Sequence, residues 1–197
     1  MAKDNQGFVN VSPSGGMNLE TVEPIYLGKT TPDFTMGWNN NFTYKNFGLS
    51  FLINARVGGI VTSSTQALLD RFGVSKASAD ARDAGGVMIP NQGLYDAKKY
   101  YTLVATGEND LAGYYTYSAT NVRLQELTFS YKFNSRLFNN VIKDLTLSLV
   151  ATNPWMIYCK APFDPELTAS TGTYGQGNDY FMQPSLKSYG FSVKFKF

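Results

Sequence analysis

The sequence has 197 residues, 43% of them hydrophobic and 16% charged, so it is long enough to fold and to bury a core. The net charge of +2 and the lack of a Lys/Arg run argue against nucleic acid as a partner. With no histidine and a single cysteine, the chain excludes internal disulfides and Cys/His zinc clusters, and we predict no cofactor and no metal site.

The sequence predicts no membrane helix, because no stretch approaches the ~18 consecutive apolar residues that one requires. Aromatic residues are nevertheless abundant, with 13 Tyr, 14 Phe and 2 Trp. Many of them recur at every second position in segments of about 9–11 residues, which is the length of a membrane strand. We expect residues 1–32 to form a lead-in loop before the first of these segments.

The first two alternating segments predict a β-hairpin. In residues 33–45 the aromatic and apolar side chains share one parity, and the same alternation resumes in residues 47–59. The tight turn at Lys45-Asn46 joins the two strands.

A long insertion, residues 60–120, separates this hairpin from the next strand. Within it, SSTQALLDRFG predicts a helix, and SKASADARD predicts a second helix. The apolar face of the first helix would consist of Ala67, Leu68, Leu69 and Phe72.

Tyrosines are concentrated in the second half of the insertion. Their rings are candidates for contact with a substrate or a covering partner, or for packing the loop against itself, and packing is the favoured alternative. The candidate rings are Tyr95, Tyr100, Tyr101, Tyr114, Tyr115 and Tyr117.

The third and fourth strands are predicted at residues 121–133 and 144–153. The upper part of the third strand has the opposite parity from its lower part, which indicates a bulge near Gln125-Glu126 or a strand that extends above an apolar band. Between the two strands, residues 134–143 predict a turn with a short helix.

The connection at residues 154–186 contains the segment APFDPEL. Its carboxylates, Asp164 and Glu166, are of the type that glycosidases use, but no second matched pair accompanies them. We therefore predict that they shape the loop and that the chain is not an enzyme. Cys159 has apolar neighbours and no histidine to activate it, which predicts a structural thiol.

The fifth strand, residues 186–197, alternates to its end. Gly190, Ser192, Lys194 and Lys196 form one face. The other face is apolar and consists of Tyr189, Phe191, Val193, Phe195 and Phe197. Such a strand has one face for an apolar environment and one for water.

Short and long connections alternate between the five strands, which is typical of outer-membrane barrels with short periplasmic turns and long outer loops. Five strands are fewer than the ~8 of the smallest membrane barrel, so we expect the chain to be the C-terminal piece of a larger one. A soluble β-sandwich, acting as a carbohydrate-binding module, remains an alternative because it would show the same alternation.

Four motifs in succession resemble the C-terminal barrel region of SusC/RagA-family TonB-linked outer-membrane proteins. They are TPDFTMGWNNNFTYKNFGLSFLINARVGG, NVRLQELTFSYKF, LSLVATNPWMIYCKAPFDPEL and QPSLKSYGFSVKFKF. The resemblance implies an all-β fold: an antiparallel transmembrane β-barrel segment, residues 33–197, whose long extracellular loops contain short helices. The complete barrel would have about 22 strands and a plugged lumen.

The resemblance also implies a function and partners. Such proteins import glycans or peptides across the outer membrane of Bacteroidetes, with a SusD-like lipoprotein as a lid and energy from the TonB complex. The plug and the TonB-coupling part would belong to the N-terminal region of the full-length chain, outside this sequence. The fifth strand, ending at Phe197, would be read as a signal for barrel assembly in the lipid of the outer membrane.

Overall fold

The computed structural model describes residues 26–89, 93–105, 111–134, 144–167, 172 and 175–196. The chain divides into two compact units. The first consists of Met1–Thr30, Ile60–Tyr117 and Thr168–Met182, and the second consists of Thr31–Gly59, Ser118–Leu167 and Gln183–Phe197.

Strands dominate the described residues, and the helices among them are short. In chain order the elements are β1 (Phe34–Tyr44), β2 (Phe47–Val57), β3 (Ile60–Ser63), α1 (Ser64–Arg71), α2 (Lys76–Asp83), β4 (Val87–Ile89), β5 (Gly93–Tyr95), α3 (Ala97–Ala105), a 3-10 helix (Leu111–Tyr115), β6 (Thr116–Ser118), β7 (Asn121–Phe133), β8 (Asp144–Cys159), β9 (Asn178–Asp179) and β10 (Ser188–Lys196).

The second unit contains a sheet that, in the described part of the chain, has five strands in the order β1-β2-β7-β8-β10. Each neighbouring pair is antiparallel. Lys45 adopts a left-handed conformation, with φ of 52°, in the predicted tight turn between β1 and β2. The side-chain amide Nδ2 of Asn46 donates a hydrogen bond of 2.6 Å to the carbonyl of Lys132, which connects this turn to the end of β7.

The predicted bulge in the third strand is confirmed. Leu52 pairs with Glu126 and the next residue of β2, Ile53, pairs with Leu124, so Gln125 is left out of the ladder. A register shift occurs at the same place between β7 and β8. The extra residue explains why the apolar parity reverses within β7.

The prediction that the fourth strand ends at residue 153 is wrong, because β8 continues to Cys159. Pro154 indicated a strand end, since proline cannot donate to a ladder. In the structure, Asn153 has φ of 50°, and the register shift opposite Gln125 accommodates the proline. Pairing resumes beyond the shift, where Trp155 faces Leu124. The predicted helical turn at residues 134–143 lies almost entirely outside the described residues.

The first unit contains the two predicted helices and a small core. Ser63 and Ser75 cap α1 and α2, each accepting a backbone hydrogen bond of 3.0 Å through its hydroxyl. The predicted apolar face of α1 is wrong at Phe72, which follows the helix as its C-cap and is 72% exposed. The residue of α1 that is buried is Asp70.

The core of the first unit is built mainly from aromatic rings. Its buried members are Ile89, Tyr100, Tyr101, Val104 and Tyr115. Helix α3 supplies three of these five residues. The sequence reading did not predict this helix, although Asp96 marks its start by accepting a hydrogen bond of 2.8 Å from the amide of Lys99.

Candidate functional site

One face of the five-stranded sheet, called here the apolar face, is both apolar and exposed. Fourteen of its large side chains are between 38% and 80% exposed. They are Phe34, Met36, Trp38, Phe42, Tyr44, Phe47, Leu49, Phe129, Leu147, Leu149, Tyr189, Phe191, Val193 and Phe195. At half exposure a large ring presents about 100 Å², so this face totals on the order of 1,000 Å². The largest apolar patch on a typical soluble monomer is about 300–600 Å².

The strand register makes the apolar face continuous across the sheet. One row runs from Phe42 through Leu49, Phe129 and Leu149 to Phe191. Aromatic contacts join neighbouring rows, as in the ring pair of Phe47 and Phe129, whose centroids are 5.8 Å apart. Residues that pair across antiparallel strands lie on the same side of the sheet, so the alternation of each strand adds up to one surface.

The opposite face, called here the polar face, consists of small and hydrophilic residues. One of its rows is Thr43, Gly48, Ser130, Ser148 and Ser192. At the end of the sheet nearest the β1–β2 turn, Lys132 pairs with Asp144 at 2.7 Å in an exposed salt bridge. The sheet therefore has one apolar and one polar face, as the alternation predicted.

A buried charged cluster lies where β7 meets the connection after β8. The side chain of Arg123 is only 6% exposed, and its Nη2 lies 2.7 Å from Asp164 and 3.2 Å from Glu166. Its Nη1 donates a hydrogen bond of 3.1 Å to the hydroxyl of Ser185. Both carboxylates are held by the same guanidinium, which agrees with the predicted loop-shaping role.

Asp164 accepts further hydrogen bonds from the backbone. The amide of Glu166 donates at 3.1 Å and the amide of Ser185 at 3.3 Å. Burial acts to raise the pKa of Asp164, but hydrogen bonds from Ser185, Glu166 and Arg123 outweigh it, so the pKa lies below its ordinary value. Asp164 therefore stays ionised as the partner of Arg123.

The sequence reading missed Arg123 and Ser185 as members of this cluster. Arg123 is separated from Asp164 by 41 positions and from Ser185 by 62. The sequence contains one indication of this role, because Arg123 lies on the polar side of β7, in the part of the strand that precedes the predicted bulge. A strand arginine at such a position needs a carboxylate partner if it is buried.

Three of the candidate tyrosines are buried in the first unit. Tyr100, Tyr101 and Tyr115 belong to its core, which is the packing alternative favoured from the sequence. The hydroxyl of Tyr115 donates a hydrogen bond of 3.0 Å to the buried carboxylate of Asp70. Burial, followed by the charge of Asp70, raises the pKa of Tyr115, so the ring stays a neutral donor.

The other three candidate rings are half-buried, namely Tyr95, Tyr114 and Tyr117. The rings of Tyr114 and Tyr115 meet edge to face at 4.9 Å. Contact with a substrate or a covering partner stays a prediction for these rings. On β10, the predicted apolar set Tyr189, Phe191, Val193 and Phe195 is exposed, and Phe197 lies outside the described residues.

The remaining candidates show no reactive geometry. The thiol of Cys159 is half-buried and lies 3.4 Å from the carbonyl oxygen of Ala161. Within the described ranges, no three His, Cys, Asp or Glu side chains form a group that could hold a metal ion. None of the helices in that part of the chain is long and apolar enough to span a membrane.

Comparisons with known proteins agree with this fold. No protein-family model matches the chain. It is 26% identical over 200 residues to TonB-dependent receptor P3 of Formosa agariphila, an alignment that covers 98% of this chain and 19% of the relative.

Two solved structures of the RagAB peptide importer share its fold. In the 'open-open' state the TM-score is 0.64 at 17% identity, with 95% of this chain and 20% of the other covered. In the 'closed-closed' state the TM-score is 0.62 at 16% identity, with 93% and 20% covered. The chain thus spans about a fifth of the length of the relatives it matches.

These similarities confirm the predicted class. The chain has an antiparallel β fold of the RagA barrel type, and the helices of its described part are short. The resemblance to SusC/RagA-type TonB-linked proteins is likewise confirmed, through a TonB-dependent receptor in sequence and the RagAB importer in fold. The names of these relatives are those of a receptor and an importer rather than of enzymes.

Proposed function

We propose that this chain is a membrane-spanning piece of a TonB-dependent nutrient importer of the bacterial outer membrane. The observation that carries the proposal is the apolar face, which is continuous, rich in aromatic side chains and exposed. In a barrel, this face meets lipid and the polar face lines the lumen. A soluble β-sandwich would instead pack its apolar face against a second sheet.

The proposal divides the chain into the lead-in at residues 1–32 and the barrel part at residues 33–197. The barrel part would be completed by further strands and a plug from the rest of the full-length protein. Coupling to the TonB complex would belong to that absent part. The chain itself would have no enzymatic activity, and it would need no cofactor.

The importer would work with a SusD-like lipoprotein and would carry a glycan or a peptide. The similarity to a peptide importer favours a peptide as the substrate. The alternative substrate is a glycan, imported for polysaccharide utilisation in Bacteroidetes. The half-buried rings Tyr95, Tyr114 and Tyr117 are the proposed contacts to substrate or lipoprotein, since aromatic rings stack on either. The apolar residues of β10, with Phe197, are the proposed assembly signal.

The proposed topology has the short β1–β2 turn in the periplasm and the long β2–β7 connection outside the cell. It follows from the connection lengths and can be tested with engineered thiols. In the full-length receptor, Cys159→Ser provides the background, and Met88→Cys or Asn46→Cys is added. Met88 is 64% exposed in the long β2–β7 connection, and Asn46 is in the tight β1–β2 turn. An impermeant thiol reagent applied to intact cells should label Met88→Cys, and Asn46→Cys should be labelled only after lysis. Labelling of Asn46→Cys alone on intact cells would contradict the proposal.

A further inference from the structure

The connection between β8 and β10 leaves the sheet at Lys160 and returns to it at Ser188. Its two ends lie close to each other and to β7. The outgoing end carries Asp164 and Glu166, and the returning end carries Ser185. A direct bond also joins the ends, because the amide of Ser185 donates to Asp164 at 3.3 Å.

Arg123 is the one side chain of this group that belongs to the sheet. Its Nη2 faces both carboxylates and its Nη1 faces the serine hydroxyl, so a single planar guanidinium contacts both ends of the connection. The fixed fork of donors on an arginine suits this task, whereas a lysine ammonium is a single point of charge. The bulge at Gln125, where the parity of β7 reverses, lies two residues after Arg123 in the same strand.

We propose that Arg123 is a positioning residue that latches both ends of the β8–β10 connection onto the polar face of the sheet. The latch consists of Arg123, Asp164, Glu166 and Ser185. Within it, Asp164 is the principal partner, because it accepts three hydrogen bonds and its side chain is 8% exposed. Glu166 is the secondary partner, since it is 27% exposed and makes the longer contact of 3.2 Å.

The latch is expected to contribute strongly to stability because its charges are buried. Removing one partner of a buried ion pair leaves the other charge uncompensated, which costs far more than breaking an exposed pair. The exposed salt bridge of Lys132 and Asp144 has the same 2.7 Å separation, but its side chains are 60% and 46% exposed. It is therefore a matched control on the same sheet.

The test is hydrogen exchange measured by mass spectrometry on the full-length receptor in lipid nanodiscs. Arg123→Met should speed the exchange of backbone amides at residues 160–167 and 183–187 on the order of 100-fold. Arg123→Lys should give an intermediate increase, and Lys132→Met should leave these peptides unchanged. Unchanged protection in Arg123→Met, or an equal increase in Lys132→Met, would overturn the latch.

Variants of the connection keep the test decisive if Arg123→Met fails to assemble. Asp164→Asn should increase the exchange of both ends more than Glu166→Gln does. Ser185→Ala removes one neutral acceptor and should increase exchange at the returning end by about 5-fold. Equal effects of Asp164→Asn and Glu166→Gln would refute the ranking, and no effect of either would refute the latch.

The latch rests on the proposed function only because its test uses the full-length receptor. Exchange at the two ends is read without any transport measurement. A wild-type receptor that imports nothing, although both ends are protected, would count against the proposed function alone. A wild-type receptor that imports, although both ends exchange freely, would count against the latch alone.

Discussion

Replacing Phe191 on the apolar face tests whether that face meets lipid. Phe191 is 80% exposed and pairs with Leu149 in the middle of β10. Its exposed ring area is about 160 Å², so its transfer into lipid is worth about 4 kcal/mol. A lysine at the bilayer midplane adds a cost of about 2–4 kcal/mol, which its apolar stem partly offsets. Phe191→Lys should therefore destabilise the assembled barrel by several kcal/mol.

The matched control is Ser192→Lys, one residue further along the same strand. Ser192 pairs with Ser148 on the polar face, where a lysine would remain in water. Heat-modifiable gel mobility of outer-membrane fractions, followed by urea titration in lipid vesicles, measures assembly and stability. Phe191→Lys should lower both, and Ser192→Lys should change neither. Equal assembly and equal urea midpoints for the two variants would refute the assignment of the two faces.

Three further predictions concern the end of β10, the latch and the core of the first unit. Deleting Phe197 should reduce the amount of assembled barrel, whereas Lys196→Ser should not; equal assembly on the same gel would remove the signal hypothesis. Because the folded pKa of Asp164 is lowered, the latch should be intact above the ordinary carboxyl pKa of about 3.9 and weaken as pH falls through the lower folded value. The protection factors of the amides at residues 160–167, which are corrected for the intrinsic dependence of amide exchange on pH, should fall only in that acidic range. A fall between pH 7 and 5 would argue against it. Tyr115→Phe removes a buried donor to Asp70 and should destabilise the first unit by about 1–3 kcal/mol, read as faster exchange of its amides; unchanged exchange would show that the bond contributes nothing.

Some features of the fold followed directly from the alternation in the sequence. The bulge in β7 was predictable because an inserted residue reverses the parity within a single strand. The end of β8 was not, because the proline at 154 is compatible with a strand only when the neighbouring strand is also irregular. Asp96 is a recognisable cap for helix α3, but the tyrosines that follow it do not by themselves distinguish a helix from a loop.

The sequence by itself determined the strands and the character of their two faces. Side-chain direction alternates with a period of two, so the division into apolar and polar faces is a local property of each strand. The tertiary structure alone decided which distant residues meet. Arg123 contacts Asp164 and Ser185 because strand pairing and the returning connection bring them to the same place. Tyr115 contacts Asp70 because the core of the first unit brings the tyrosine next to α1. Once buried, such polar and charged residues need an ionic or hydrogen-bonding partner, since an unpaired polar group inside the protein costs free energy of folding.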